Sequence, residues 1–502
     1  MRRLKLLVSS MLLGQLAFAG GMVTNTNQSA AYIRMLARDA STDVDAVFYN
    51  PAALTKLQDG FYVQFNNQTV IQKRTIDNSY LNKSYTGDVL VPVLPTFFAV
   101  YKTGDWAFSG GFTIIGGGGS ADYAQGLPDF EYPFKGITTL LSASGIPTTQ
   151  YTADIAFNGS SVYYGAQAGV SYKINDMVSV YGGARYVSVA NTYEGYIKDI
   201  QLNPQYPAVG YTGNMVSAQQ FFYDLEAAAT STGDLVGIGT AQALGAATED
   251  RVVDVAQYGS GITPIIGVNL AFMEDRLNIG LKYEFATEMD IENYSYTDDT
   301  KGMNGPTDPG MFPDKAKVAA DMPAFLSVGV GYQITEVFYA TVGLHYYWDE
   351  AVDYGKNGWV EGSGNGLPGD AGYMPPTYDR GDNKDWVDGN AYEIALGLQY
   401  DVSEKISLSG GFLRSQTSPA IDYQSGLSYS LSSSTFSFGA IGHISERFDI
   451  DLGMLYTSYD PYEKSGDYIL SGVPIGGFKE TYDKSNIVFS IGATYHFGGA
   501  AK

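Results

Sequence analysis

The chain has 502 residues, with 60 Gly, 40 Tyr, no Cys and a formal net charge of −23. The missing Cys excludes disulfides, zinc–thiolate centres and cysteine nucleophiles, and so acidic a balance excludes the clustered Lys and Arg that a nucleic-acid partner needs. No stretch beyond the N-terminus approaches the roughly 18 apolar residues of a membrane helix. Abundant Gly and Tyr in alternating segments is instead how an all-β, transmembrane barrel reads.

In chain order, Met1-Arg2-Arg3-Leu4-Lys5 is a basic segment, Leu6 to Leu16 a short apolar one, and Ala17-Phe18-Ala19 a small-x-small cleavage site. Residues 1–19 therefore read as a secretory signal peptide. No Cys follows the cleavage site, which excludes a lipoprotein. Residues 20–59 do not alternate and stand apart from the barrel as an N-terminal segment, in which Gln28 to Asp39 reads as helical. Residues 60–497 are the barrel, and 498–502 a short tail.

Within the barrel, an alternating strand, a tight polar turn and a second alternating strand recur. The turns are Lys102-Thr103-Gly104-Asp105, Ile174-Asn175-Asp176, Met273-Glu274-Asp275, Ile334-Thr335-Glu336, Val402-Ser403-Glu404-Lys405 and Ile444-Ser445-Glu446-Arg447. Each is short enough to close a hairpin. The twelve strands of these hairpins, with Tyr62 to Ile71 before them and Asn486 to Phe497 after them, make fourteen. An even number is what a bacterial barrel requires. Phe448, Ile450, Leu452, Met454 and Tyr456 share one face of their strand, as do Ile487, Phe489, Ile491, Ala493, Tyr495 and Phe497 of the last. Aromatics near strand ends (Tyr346, Tyr347, Trp348; Tyr456, Tyr459) suit interfacial girdles. Long connections of roughly 77–90, 116–158, 198–259, 297–321, 353–388, 416–432 and 460–484 fall on the other side. The acids Asp298-Asp299 and Asp382 to Asp388 sit there as solvated loops. Val216 to Ala229 reads as an amphipathic helix with Phe221, Phe222 and Leu225 near one face, part of a folded lid.

The segment ending in Asn50-Pro51-Ala52, just before the first strand, resembles the N-terminal hatch of the FadL-type outer-membrane transporters, and fourteen is also that family's strand number. Pro51 fixes φ, Asn50 can bond its own backbone and Ala52 allows close packing, which suits a chain reversal. Departures are Ala53 where Gly is frequent, and Tyr32, Ile33 and Met35 where smaller residues are usual. Ser490-x-Gly492-x-x-Tyr495-x-Phe497 looks like a signal read by the barrel-assembly machinery. The resemblance implies a monomeric barrel, set in outer-membrane lipid and lipopolysaccharide, that passively admits long-chain fatty acids or aromatic hydrocarbons. Its steps would be loop capture, a lumen pocket, hatch movement and lateral exit through a kinked third strand.

That strand, Trp106 to Ile115, contains Gly110-Gly111 and runs into Gly116-Gly117-Gly118-Gly119. Glycine inside a strand often marks a bulge, so Gly110 and Gly111 are candidates for a lateral opening. Gly182-Gly183 and Gly410-Gly411 leave ordinary glycine enrichment as the alternative. A ligand carboxylate wants a buried cation; Arg185 and Lys282 fall on the lumen phase, and Arg34 and Arg38 in the hatch. The competing role for all four is structural, pairing hatch to wall through Asp39, Asp43, Asp45 or Glu284. His345, His443 and His496 also share the lumen phase, but no Ser/His/Asp spacing accompanies them. A phosphate-binding GxxxxGK[ST] loop is absent too. The expectation is no enzyme, no cofactor and no metal. A general diffusion porin and a surface adhesion or structural barrel are the alternative functions.

Overall fold

Period-two alternation leaves each strand with one apolar and one mixed face, and in lipid the only way to satisfy every strand edge is closure. A computed structural model describes residues 22–301, 310–355, 359–360, 377–378, 386–470 and 473–498. The expected signal peptide, the tail beyond Gly498 and residues 382–385 of the acidic run lie outside these. The barrel is a closed antiparallel sheet of fourteen strands. They are β1 Gly60–Asn78, β2 Lys83–Thr103, β3 Trp106–Tyr123, β4 Tyr151–Lys173, β5 Val178–Leu202, β6 Arg251–Phe272 and β7 Leu277–Glu284. There follow β8 Phe325–Thr335, β9 Phe338–Tyr347, β10 Tyr392–Ser403, β11 Ile406–Gln416, β12 Ser433–Ser445, β13 Phe448–Tyr459 and β14 Val473–Phe497. β14 closes on β1 from Phe61↔Phe497 to Asn78↔Glu480. All six hairpin turns fall where the sequence places them.

In β1 the outward apolar side chains run from Phe61 through Phe65 to Ile71, all exposed. That matches the ~9–11 residues of a tilted strand crossing a bilayer. Leu452, Met454 and Tyr456 of β13 and Phe489, Ile491, Tyr495 and Phe497 of β14 continue the band. Leu455 breaks the phase and is buried inside. Two of the girdle aromatics are corrected: Tyr347 and Tyr459 are buried on the inner face, and Tyr456 is exposed. Clustering near a strand end does not choose a face; residue parity does.

The strands outrun the lipid band, so the outer connections are shorter than the sequence suggests. β1 and β2 meet across residues 79–82, β3 continues to Tyr123, and β14 begins at Val473. Backbone pairing continues where the apolar outer phase stops, and only that phase is visible in a sequence. Two ribbons, Asp290–Asp298 along β6 and Tyr462–Leu470 along β14, thicken the outer rim. Three helices lie there: α3 Pro128–Ala143, α4 Ala218–Thr232 and α5 Leu235–Ala247. α4 is the lid helix expected at Val216 to Ala229, and Phe221 and Phe222 are wholly buried.

The plug is less helical than its composition suggests. Its helices are α1 Ala30–Arg34 and α2 Ala46–Tyr49, followed by a 3₁₀ turn, Pro51–Lys56. Ser29 caps α1 by accepting from the Tyr32 amide at 2.9 Å, and Met35 is already extended at φ −152°. The helix expected over Gln28 to Asp39 is cut to five residues, starting after the Ser29 cap and ending where the backbone turns extended at Met35. The wall yields space in return: a Cβ at Gly280, Gly329 or Gly343 would stand 2.1–2.3 Å from atoms of Asp39.

Candidate functional site

Asn50-Pro51-Ala52 is a seam between hatch and wall. Asn50 Nδ2 donates to Asn269 Oδ1 at 2.8 Å and to the Ser41 carbonyl at 3.2 Å. The Pro51 and Ala52 carbonyls accept from Ser171 and Ser179 at 2.6 and 2.7 Å. Ala52 is buried against Tyr181 and Ile265. The motif thus docks on β4, β5 and β6.

The four candidate carboxylate-binding cations are all engaged with acids of the chain. Arg185 meets Glu284 at 2.5 Å, and Lys282 meets the same carboxylate at 2.7 Å while donating to the Phe48 carbonyl at 2.7 Å. Arg34 pairs with Asp451 at 2.7 Å, and Arg38 with Asp45 at 2.7 Å and Asp43 at 2.6 Å. They do not converge on one pocket, which favours the structural role. Replacing Arg185 by Met should cost about 3 kcal/mol, the low end for breaking a buried pair because Lys282 remains. Thermal unfolding would show the loss, with ligand affinity unchanged.

His345 is buried between two carboxylates, Asp39 of the hatch and Glu393 of β10, each at 2.8 Å. Only an imidazolium donates from both ring nitrogens. Ser327 sits beside them but donates to Asp39 at 2.6 Å, so Asp39 does not orient a base toward a nucleophile. His496 stacks on Tyr62 at 4.1 Å and His443 meets Asp449 at 2.7 Å.

The distinctive feature of the wall is a break between β2 and β3. Among the described residues, their pairing stops after Asp88↔Asp122 and resumes at Phe97↔Phe112. Over the same stretch β2 stays paired to β1, and β3 to β4. Gly110 and Gly111 lie in the regular ladder, opposite Ala99 and Phe98. The break begins beyond them, because a glycine keeps both its ladder groups whereas proline has no N–H. Pro92 and Pro95 fall in the unpaired stretch of β2; β3 carries irregularities at Ile114/Gly116 and Gly117/Gly119, with Gly117 at φ +80°. Leu90 and Val93 are exposed on the outer side, while Val89, Leu94, Ile114 and Ile115 are buried.

Behind this break lies the start of the hatch. Thr24 bridges to Gly116, and the Asn25 amide donates to the Ile115 carbonyl at 2.7 Å. Asn25 Nδ2 and Gln28 Nε2 both donate to the Ile114 carbonyl at 2.8 Å. From the other lip, Thr96 Oγ1 donates to the Gln28 carbonyl at 2.6 Å and Gln68 Nε2 to the Asn27 carbonyl at 2.7 Å. Residues 24–28 therefore stitch β3 to β2 and β1 where the sheet itself does not. The sequence reading missed this seam; Pro92 and Pro95 in an apolar strand were its available signal.

Above the hatch, Tyr85, Tyr123, Phe157, Tyr193, Tyr429, Tyr459 and Tyr482 belong to one buried aromatic cluster. Arg74 and Lys484 are buried at opposed positions of β1 and β14, each about 5 Å from the Tyr429 ring centre (5.0 and 5.2 Å).

No family model and no curated protein matches the chain. Solved structures do. A FadL homologue of Pseudomonas aeruginosa matches with a TM-score of 0.60 at 14% identity, covering 95% of this chain and 100% of its own. The chain has the FadL-type fold. The toluene transporter TodX of P. putida gives 0.51 at 14% identity over 91% and 95% of the two chains. TbuX of Ralstonia pickettii, also a toluene transporter, gives 0.51 at 13% over 91% and 94%. The FadL-type barrel seen here is accordingly a multi-pass β-barrel of the outer-membrane kind.

Proposed function

We propose that this barrel passively admits hydrophobic small molecules across the outer membrane and releases them sideways through the β2–β3 break. The break with its apolar lips carries this reading. An apolar molecule leaving the lumen there enters lipid without crossing water. Residues 24–28 hold the seam with neutral hydrogen bonds, each of net worth about 1 kcal/mol, whereas Arg34–Asp451 and Asp39–His345 add buried ion pairs between the middle of the hatch and the wall. The seam is thus more easily displaced by a ligand than the ion-paired middle of the hatch. Long-chain fatty acids, from the family that the sequence resembles, and aromatic hydrocarbons, from the toluene transporters among the structural neighbours, are the two cargo classes. No covalent chemistry is involved in this route. A diffusion porin is disfavoured because Tyr32, Ile33, Leu36 and Phe48 fill the lumen as a packed core.

The test is uptake by cells lacking a transporter of this type, with labelled oleate and labelled toluene supplied separately, alongside planar-bilayer recording. Expression of the chain should accelerate entry of at least one of the two, with little steady ion conductance. A large, stable conductance with no gain in hydrophobe entry would replace this reading with the porin.

A further inference from the structure

Arg74 of β1 and Lys484 of β14 stand directly opposite each other in the ladder that closes the barrel, and both are buried on its inner face. Like charges placed opposite each other on a sheet repel, and burial takes away the screening that water and salt would give. Tyr429, from the connection between β11 and β12, lies beside both, its ring centre 5.0 Å from the Arg74 guanidinium and 5.2 Å from Lys484 Nζ. The Tyr459 ring of β13 is 5.0 Å from the same Nζ. Ring faces attract cations through their quadrupoles but bring no net negative charge. An anion held between the two cations would turn their repulsion into attraction on both sides.

Neighbouring polar atoms point the same way. The Tyr459 hydroxyl is buried and has no hydrogen-bond partner among the described residues. At the next inward position towards the lipid band Gln72 and Asn486 are again opposed, and their buried side-chain oxygens have none either. A half-turn of either amide puts an NH2 where its oxygen stands. On β1 and β14 the inward acid nearest in register is Glu480, four residues up its strand or ~13 Å, where Asn78, Tyr468 and Tyr482 donate to it. Arg74 is also paired to Gly87 of β2, one residue from Asp88, where pairing with β3 stops. Gly87 makes room for the Tyr123 ring, which a Cβ there would meet at 2.5 Å. Val91, in the unpaired stretch of β2, packs against both the aromatic cluster and the cluster built on the hatch. The cation pair therefore sits at the upper edge of the break.

We propose that Arg74, Lys484 and the Tyr459 hydroxyl bind the carboxylate of an aromatic acid whose ring packs among the tyrosines above the hatch. Two cations and a neutral O–H donor match a carboxylate, which accepts on both oxygens and binds most tightly through charge-assisted hydrogen bonds. The surrounding rings favour an aromatic body over an alkyl chain, because tilted and offset ring contacts add to simple area burial. Tyr429 and Tyr482 are already arranged in this way, with centres 5.1 Å apart and planes at 48°. The site is separate from Arg185 and Lys282, which share Glu284. It rests on the reading that hydrophobes pass through this barrel, and it names the cargo. A neutral hydrocarbon engages the rings alone and an alkyl acid the cations alone; an aryl carboxylate engages both.

Equilibrium dialysis of the detergent-solubilised barrel at neutral pH tests this with 2-naphthoate, its neutral isostere 2-methylnaphthalene and the alkyl acid decanoate, against protein-free micelles as the blank. 2-Naphthoate should bind ~10- to 100-fold more tightly than 2-methylnaphthalene, the range for hydrogen bonds to a charged group, and ~3- to 10-fold more tightly than decanoate. Arg74→Gln and Lys484→Gln should each weaken 2-naphthoate ~10-fold, and Tyr459→Phe ~3-fold or more, with 2-methylnaphthalene unchanged in all three. Tyr459→Phe removes a single unpartnered oxygen, so it decides the matter if either cation variant fails to fold. 2-Naphthoate binding no tighter than 2-methylnaphthalene overturns the proposal, as does decanoate binding equally well or a Tyr459→Phe barrel that weakens both aryl ligands alike. None of these results bears on the entry of oleate or toluene into cells, which tests the uptake reading separately.

Discussion

Joining Thr24→Cys to Gly116→Cys by a disulfide is expected to cut hydrophobe uptake at least ~10-fold, with recovery on reduction. Antiparallel bridge partners lie within the ~4.5–5.5 Å Cα spacing that a disulfide spans, and these two residues form such a bridge. The chain has no other Cys, so the cross-link is unambiguous. A Cβ at Gly116 would meet the Val23 carbonyl at 2.7 Å, so the backbone must give by some tenths of an ångström. The extent of oxidation in the folded barrel measures whether it does. The lock ties the hatch to one lip of the break and leaves the outer loops untouched. Full oxidation without any loss of uptake would mean that cargo does not pass this seam.

The second large effect is expected at His345. Replacing it by Leu leaves Asp39 and Glu393 buried and facing each other without the cation between them. Ser327 still donates to Asp39, and Tyr347 to Glu393 at 3.0 Å, but neither brings positive charge. Breaking a buried charge cluster in this way costs about 3–5 kcal/mol, here at the expense of hatch docking rather than of the fourteen-strand ladder. The expected signature is a new, stable conductance in planar bilayers from a barrel that still shows normal heat-modifiability on gels. His345→Gln, which keeps one hydrogen bond, should fall between the two. A His345→Leu barrel as silent as the parent would show that the clamp does not hold the plug.

These two predictions differ in how far the sequence anticipates them. Arg185, Lys282, Asp39 and Glu284 were legible as charged residues on the lumen phase or in the plug, with structural pairing as one of two roles, whereas His345 was legible only as a polar residue on the lumen phase. Which acid meets which cation was not legible, because Arg34 and Asp451 lie 417 residues apart. The lateral break was legible only in kind. Gly110-Gly111 lies in a strand that borders the break, yet the interruption starts after Phe112. It takes two strands to make a gap, Pro92 and Pro95 on one and the irregular Gly116–Gly119 stretch on the other, and a third segment to cover it.

By itself, the sequence of this protein determined the hairpins, the strand count and the face each side chain takes, because a period of two and the chemistry of tight turns are local properties. It also marked the plug, which is the one stretch that does not alternate before the barrel begins. The tertiary structure alone decided how far the strands rise above the lipid and how short the hatch helices are. It alone placed residues 24–28 behind the break and His345 between Asp39 and Glu393. Each of those depends on contacts between segments far apart in the chain, where the energy of a pairing is set by its partner and not by its neighbours in sequence.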